Sequence, residues 1–97
     1  MLKKEYFKTK KTCRVTFYTP KLKADSVNLV GYFNDWDENS MPMEKLKDGR
    51  FKLIIELEKD KEYQYRFFVN QEEWINDLHA DYCVRNEDGS ENCVVRT

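Results

Sequence analysis

Two tryptophans stand where a large apolar side chain has no evident core to enter. Trp36 lies in 34–43, NDWDENSMPM, a run of acids, amides and turn formers, and Trp74 follows the alternating segment 62–70, EYQYRFFVN. A flat indole covers the apolar C–H face of a pyranose ring, while short polar or cationic side chains nearby take up the ring hydroxyls. Arg66 and Asn92 supply such polar groups in this chain. The same indoles would equally close the end of a sandwich core, and residue type alone leaves both readings open.

Catalysis has less to work with. Paired-carboxylate chemistry needs two acids about 5–10 Å apart across a cleft, and a histidine base needs a nucleophile and an orienting partner. The acids here are scattered through turns, and the single histidine, His79, reads as a surface or loop-anchoring residue. No phosphate-cradling glycine loop, GxSxG, HExxH or zinc-spaced Cys/His set occurs. No catalytic residue, metal or cofactor is therefore expected. Cys13 and Cys93 fall on inward positions of alternating segments and read as small buried hydrophobes. A disulfide between Cys83 and Cys93 would close a hairpin, but a reducing compartment argues against it.

The elements that must position these residues are short strands. The 97 residues suffice for one domain, 1–97, with a body at 12–96 and a basic arm at 1–11. Seventeen Lys and Arg against 18 Asp and Glu leave a net charge of −1, so no long-range field recruits nucleic acid or an anionic membrane. No apolar run reaches the roughly 18 residues that a membrane span needs. The start MLKKEYFKTKKT leads into alternation and not into a signal core, so a cytoplasmic protein is expected.

Within the body, Cys13, Val15 and Phe17 alternate with Arg14, Thr16 and Tyr18, and 26–33 sets Val27, Leu29 and Gly31 on one face. The turn KDGR at 47–50 joins 44–46 to FKLIIEL at 51–57 as a hairpin. In 62–70, Tyr63, Tyr65, Phe67 and Val69 point inward and Gln64, Arg66, Phe68 and Asn70 outward. A short return strand is expected at 73–76 and a last strand at 91–96, whereas 77–88 shows no clear periodicity. No useful helix emerges. About seven short antiparallel strands imply an all-β, immunoglobulin-like sandwich, with a small open barrel as the alternative.

The run VNLVGYFNDW at 27–36, followed by YQYRFFVNQEEW at 63–74, resembles carbohydrate-binding module family 48, the isoamylase N-terminal (early-set) domain of branching and debranching enzymes. It is similar to the glycogen-binding module of the AMP-activated protein kinase β subunit. The family pattern is a strand ending in G-x-F-N-x-W, a hairpin, a strand reading Y-x-[KR]-F-x-V-[DN]-G-x-W, and then an Asp. Both halves are met in order between about 12 and 96. The resemblance implies a non-catalytic module that binds α-1,4-glucan chains such as glycogen, starch or maltooligosaccharide.

By that resemblance Trp36 and Trp74 are the two stacking tryptophans, and Arg66 stands where binding members carry a lysine. Asp88, Ser90 and Asn92 stand where they place a leucine, a threonine and an asparagine around the same sugar. Four departures have physical consequences. The Arg66 fork has a different hydrogen-bonding geometry from an ammonium. The 71–73 turn is one residue longer than the usual glycine-containing one, which changes how Trp74 is aimed. Asp88 lacks the apolar finger of a leucine, implying weaker affinity or another chain-length preference. Leu78 replaces a proline after Asp77, implying a less rigid turn.

Gly31 is expected to permit close packing, Phe33 to fill the core and Asn34 to hydrogen-bond backbone in the Trp36 loop. Phe68 is expected to meet the partner sheet edge or a companion domain. A stand-alone module is expected, with α-glucan and a glycogen-metabolising enzyme or another protein as partners. The alternative is a protein-interaction sandwich that has lost sugar binding, which Asp88 and the longer turn favour.

Overall fold

A computed structural model of the chain describes residues 2–97. Among these the strands are β1 (Leu2–Tyr6), β2 (Thr12–Tyr18), β3 (Val27–Gly31), β4 (Glu44–Lys45), β5 (Phe51–Glu58), β6 (Glu62–Val69), β7 (Glu73–Ile75), β8 (Tyr82–Arg85) and β9 (Glu91–Arg96). A single 3₁₀ turn, Tyr32–Asn34, follows β3. One antiparallel sheet runs β1-β2-β5-β4 and the other β3-β6-β9-β8. β7 pairs with β6 beyond the end of β9, on the same edge. The fold is an all-β sandwich of the immunoglobulin-like, early-set kind.

Alternation explains which sheet faces meet. Cys13, Val15 and Phe17 of β2, with Phe51 and Leu57 of β5, pack against Val27 and Leu29 of β3, Tyr65, Phe67 and Val69 of β6, and Cys93 and Val95 of β9. The Phe17 ring meets Tyr65 edge-on at 5.0 Å and Phe33 at 5.8 Å. Removing such a buried aromatic costs about 3–5 kcal/mol, so this one cluster supplies much of the fold's margin. The two sheets are also tied through the chain. Leu29 N–H donates to Met41 O and Met43 N–H to Val27 O, along the edge of β3, before β4 joins the other sheet against β5.

Two strands were not read from the sequence. β1 lies within the segment expected to be a basic arm, and β8 within the segment that shows no periodicity. Both are edge strands, open to solvent for most of their length, so neither carries the apolar alternation that marks a half-buried strand. β1 pairs with β2 from Leu2 opposite Phe17 to Tyr6 opposite Cys13, and Lys4 Nζ reaches Asp81 at 2.6 Å. Leu2–Tyr6 of the segment expected to be an arm is thus a strand of the sandwich.

All three cysteines are free thiols: Cys13 and Cys93 are buried and Cys83 is exposed. Cys83 and Cys93 are directly opposed on β8 and β9, but no disulfide joins them.

Candidate functional site

The outer face of the second sheet carries Arg66 and Phe68 from β6, Trp74 from β7 and Asn92 from β9, and the site grows from this row. Its first wall is the loop after β3. A Cβ on Gly31 would lie 2.4 Å from Gln64 O and 2.8 Å from Tyr65 Cβ, so only glycine lets β3 run this close to β6. Asn34 then organises the loop. Its Oδ1 accepts from Gly31 N–H at 3.0 Å, and its Nδ2 lies within hydrogen-bond reach of Leu29 O, Asp37 O and Ser40 Oγ.

This network holds Asp35 and Trp36 in the left-handed region, at φ 54° and 59°. Each such non-glycine residue costs about 1–2 kcal/mol, which the Asn34 contacts and the Trp36 N–H to Gly31 O bond at 2.9 Å offset. The reward is an indole turned out of the core and half-buried, with the Tyr32 ring edge-on to it at 5.7 Å.

The second wall is Trp74. The longer turn that leads to it is absorbed by two left-handed residues, Asn70 and Gln71, and is held by Asn70 Oδ1, which accepts from Asp25 and Ser26 N–H at 2.8 and 3.1 Å. Trp74 therefore lands directly opposite Phe68, the rings stacked at 4.3 Å and 29°. Phe68 was expected to meet a sheet edge or a companion domain; it backs the Trp74 indole instead. Arg66 lies with its guanidinium carbon 5.6 Å from the centre of the same indole, and its Nε donates to Asn76 Oδ1 at 3.1 Å.

Just past β7 the chain is pinned to the core. Asp77, 2% exposed, accepts from the Tyr65 hydroxyl at 2.8 Å and from His79 N–H at 2.9 Å, and its own N–H donates to Cys93 Sγ at 2.9 Å. Burial pushes the Cys93 thiol up to about 12, and burial with the neighbouring Asp77 charge drives the Tyr65 hydroxyl far above its ordinary value, so both stay protonated. The turn stays anchored without the proline that Leu78 replaces, and Leu78 itself points into solvent.

The β8–β9 hairpin closes the third side. Its turn is held by Asn86 N–H to Ser90 O at 2.8 Å and by Gly89, at φ 89°. Asp88 Oδ1 accepts from Ser90 N–H at 2.9 Å. That backbone bond, then the Ser90 hydroxyl and the Arg66 charge, hold the Asp88 carboxyl below its ordinary range. Asn92 Nδ2 donates to Gln64 Oε1 at 3.0 Å, and Asn86 Nδ2 donates to Asn92 Oδ1 at 3.4 Å. Asn86 Oδ1 is buried without a partner among the described residues.

Between these walls lies an open depression of about 320 Å³, lined by Trp36, Arg66, Trp74, Asn86, Asp88 and Asn92. Five of these six were singled out from the sequence. Ser90, singled out with them, is not in the lining and spends its polar groups on Asp88. Asn86 was missed: it lies in the turn between β8 and β9, where no alternation marks which side chains share a face.

A family profile described as carbohydrate-binding module 48 (isoamylase N-terminal domain) matches residues 5–95. The chain belongs to the carbohydrate-binding module 48 family. It is 39% identical over 64 residues to a 1,4-alpha-glucan branching enzyme GlgB of Aquifex aeolicus (strain VF5), an alignment covering 62% of this chain and 10% of that protein. This module thus matches about a tenth of its relative's length.

As a carbohydrate-binding module its described residues form a β-sandwich. Among its described residues no group of three or more His, Cys, Asp or Glu side chains is placed to hold a metal ion, and no helix is long and apolar enough to cross a membrane. The module's depression offers aromatic surface on two sides, a cation, a carboxylate and two amides. That set suits a neutral, hydroxyl-rich ligand with apolar ring faces.

Proposed function

We propose that this module binds α-1,4-glucan chains in the depression, with the Trp36 and Trp74 rings stacking on glucose units. Arg66 donates to ring hydroxyls, Asp88 and Asn92 exchange hydrogen bonds with them, and Ser90 acts by holding Asp88. The observation that carries this reading is that two tryptophans from distant parts of the chain line one open depression with Arg66, Asp88 and Asn92. The branching enzyme it resembles is named for a 1,4-alpha-glucan, which favours glycogen, starch or maltooligosaccharide over other sugars.

Titration with maltoheptaose or β-cyclodextrin tests the proposal. Saturable changes in tryptophan fluorescence and in the amide shifts of the 31–40 and 86–92 segments are expected. Unchanged spectra at millimolar sugar would leave the protein-interaction reading in its place.

We also infer that the module works beside an α-glucan-metabolising enzyme, since its relative is one, and that it resides in the cytoplasm, where three free thiols persist. Co-purification and fractionation of the native protein test these two points.

A further inference from the structure

Arg66 is the cation of the depression, and its side chain has several rotatable bonds, so something must fix it for its fork to be useful. Two contacts do so. The guanidinium lies over the Trp74 indole, and Nε, the donor on the inner side of the fork, is taken by Asn76 Oδ1 at 3.1 Å. Among the described residues neither Nη amine has a protein hydrogen-bond partner and Arg66 makes no salt bridge. Asn76 comes directly before Asp77, whose buried carboxylate is locked to Tyr65 and His79, so the acceptor is itself held to the core.

We infer that Asn76 is a positioning residue for glucan binding: by occupying Arg66 Nε it leaves the two Nη amines as the free ends of a pre-aimed planar fork for neighbouring sugar hydroxyls. The inference rests on the glucan-binding reading above. Pre-orientation matters because a free arginine loses much of its rotamer freedom on binding, and a side chain ordered beforehand has already lost it. A lysine at position 66 has no Nε–H to give in this geometry, so Asn76 acts only through an arginine.

The test is a set of maltoheptaose titrations on the full 97-residue chain, with the Arg66 Nε–Hε resonance followed by NMR. Asn76→Leu, which keeps the volume and removes the acceptor, is expected to weaken binding about five-fold and to broaden or shift the Nε–Hε signal. Asn76→Asp, which keeps an acceptor, is expected to restore both and stands as the second variant if the leucine protein folds poorly. In an Arg66→Lys background, Asn76→Leu is expected to change affinity by less than about two-fold. Equal affinity of wild type and Asn76→Leu, or the same loss in both backgrounds, overturns the role of Asn76 while leaving glucan binding intact. A wild-type protein that binds no sugar overturns both.

Discussion

The Trp74 indole is stacked on the Phe68 ring and has the Arg66 guanidinium over it, so its plane is set before any ligand arrives. Trp36 owes its orientation to a left-handed backbone and to the edge of Tyr32. Aromatic anchors at the centre of a site commonly account for about 2 kcal/mol or more when truncated, and 1.4 kcal/mol is ten-fold in affinity. Trp36→Ala and Trp74→Ala are each expected to weaken maltoheptaose binding by about ten-fold or more, with the folded circular dichroism spectrum retained. A variant within two-fold of wild type would remove that tryptophan from the binding surface.

Asp88 has a separate signature in pH. Its carboxyl is held below the ordinary 3.8, first by the Ser90 N–H. A depressed pKa means that the charged form stabilises the hairpin fully above the ordinary carboxylate value, and that this contribution is lost as pH falls through the lowered one. The difference in Tm between wild type and Asp88→Asn is therefore expected to be constant from neutral pH down to about 5 and to shrink below about 4. A gap that closes between pH 6 and 7 would assign it to another group.

The loop that carries Trp36 depends as an element on two strands being able to touch. Gly31 is extended, so its requirement is one of space and not of backbone conformation. The obstruction to a side chain is the Gln64 carbonyl, a backbone atom that cannot rotate away. Gly31→Ala is expected to cost about 3 kcal/mol and, at roughly 4–8 °C per kcal/mol for a domain of this size, to lower Tm by about 12–24 °C. Thermal melting checks this, and a change under 3 °C would show that the strands separate easily.

The strands β2, β5 and β6 were legible because alternation records which side chains each turns inward, and β3, although an edge strand, is covered, with all five of its residues buried. β1 and β8 escaped because an edge strand open to solvent has no reason to alternate. Asn86, the first residue past β8, went unread because a turn carries no alternation, while the family resemblance placed Asp88 and Asn92 at the site. Phe68 was placed outward correctly, but the partner that covers it is Trp74 across a turn whose two left-handed residues, Asn70 and Gln71, are not glycines. No local signal announced that geometry, and only the register of β6 with β7 shows that the longer turn still delivers the indole to the depression.

At the scale of the whole molecule, charge is balanced. Seventeen basic and 18 acidic side chains give a net −1, and within the depression Arg66 is offset by Asp88. A neutral glucan therefore meets no long-range field and is held by stacking and by hydrogen bonds, none of which involves counterion release. The dissociation constant for maltoheptaose is expected to change by less than about two-fold between 50 mM and 500 mM NaCl, a range over which the Debye length falls severalfold. A phosphorylated chain or an acidic protein segment drawn to Arg66 would behave otherwise and lose affinity steeply across the same range. Isothermal titration at the two salt concentrations separates these cases, and a steep salt dependence with a neutral sugar would mean that its binding couples to a rearrangement of charges that the resting depression does not display.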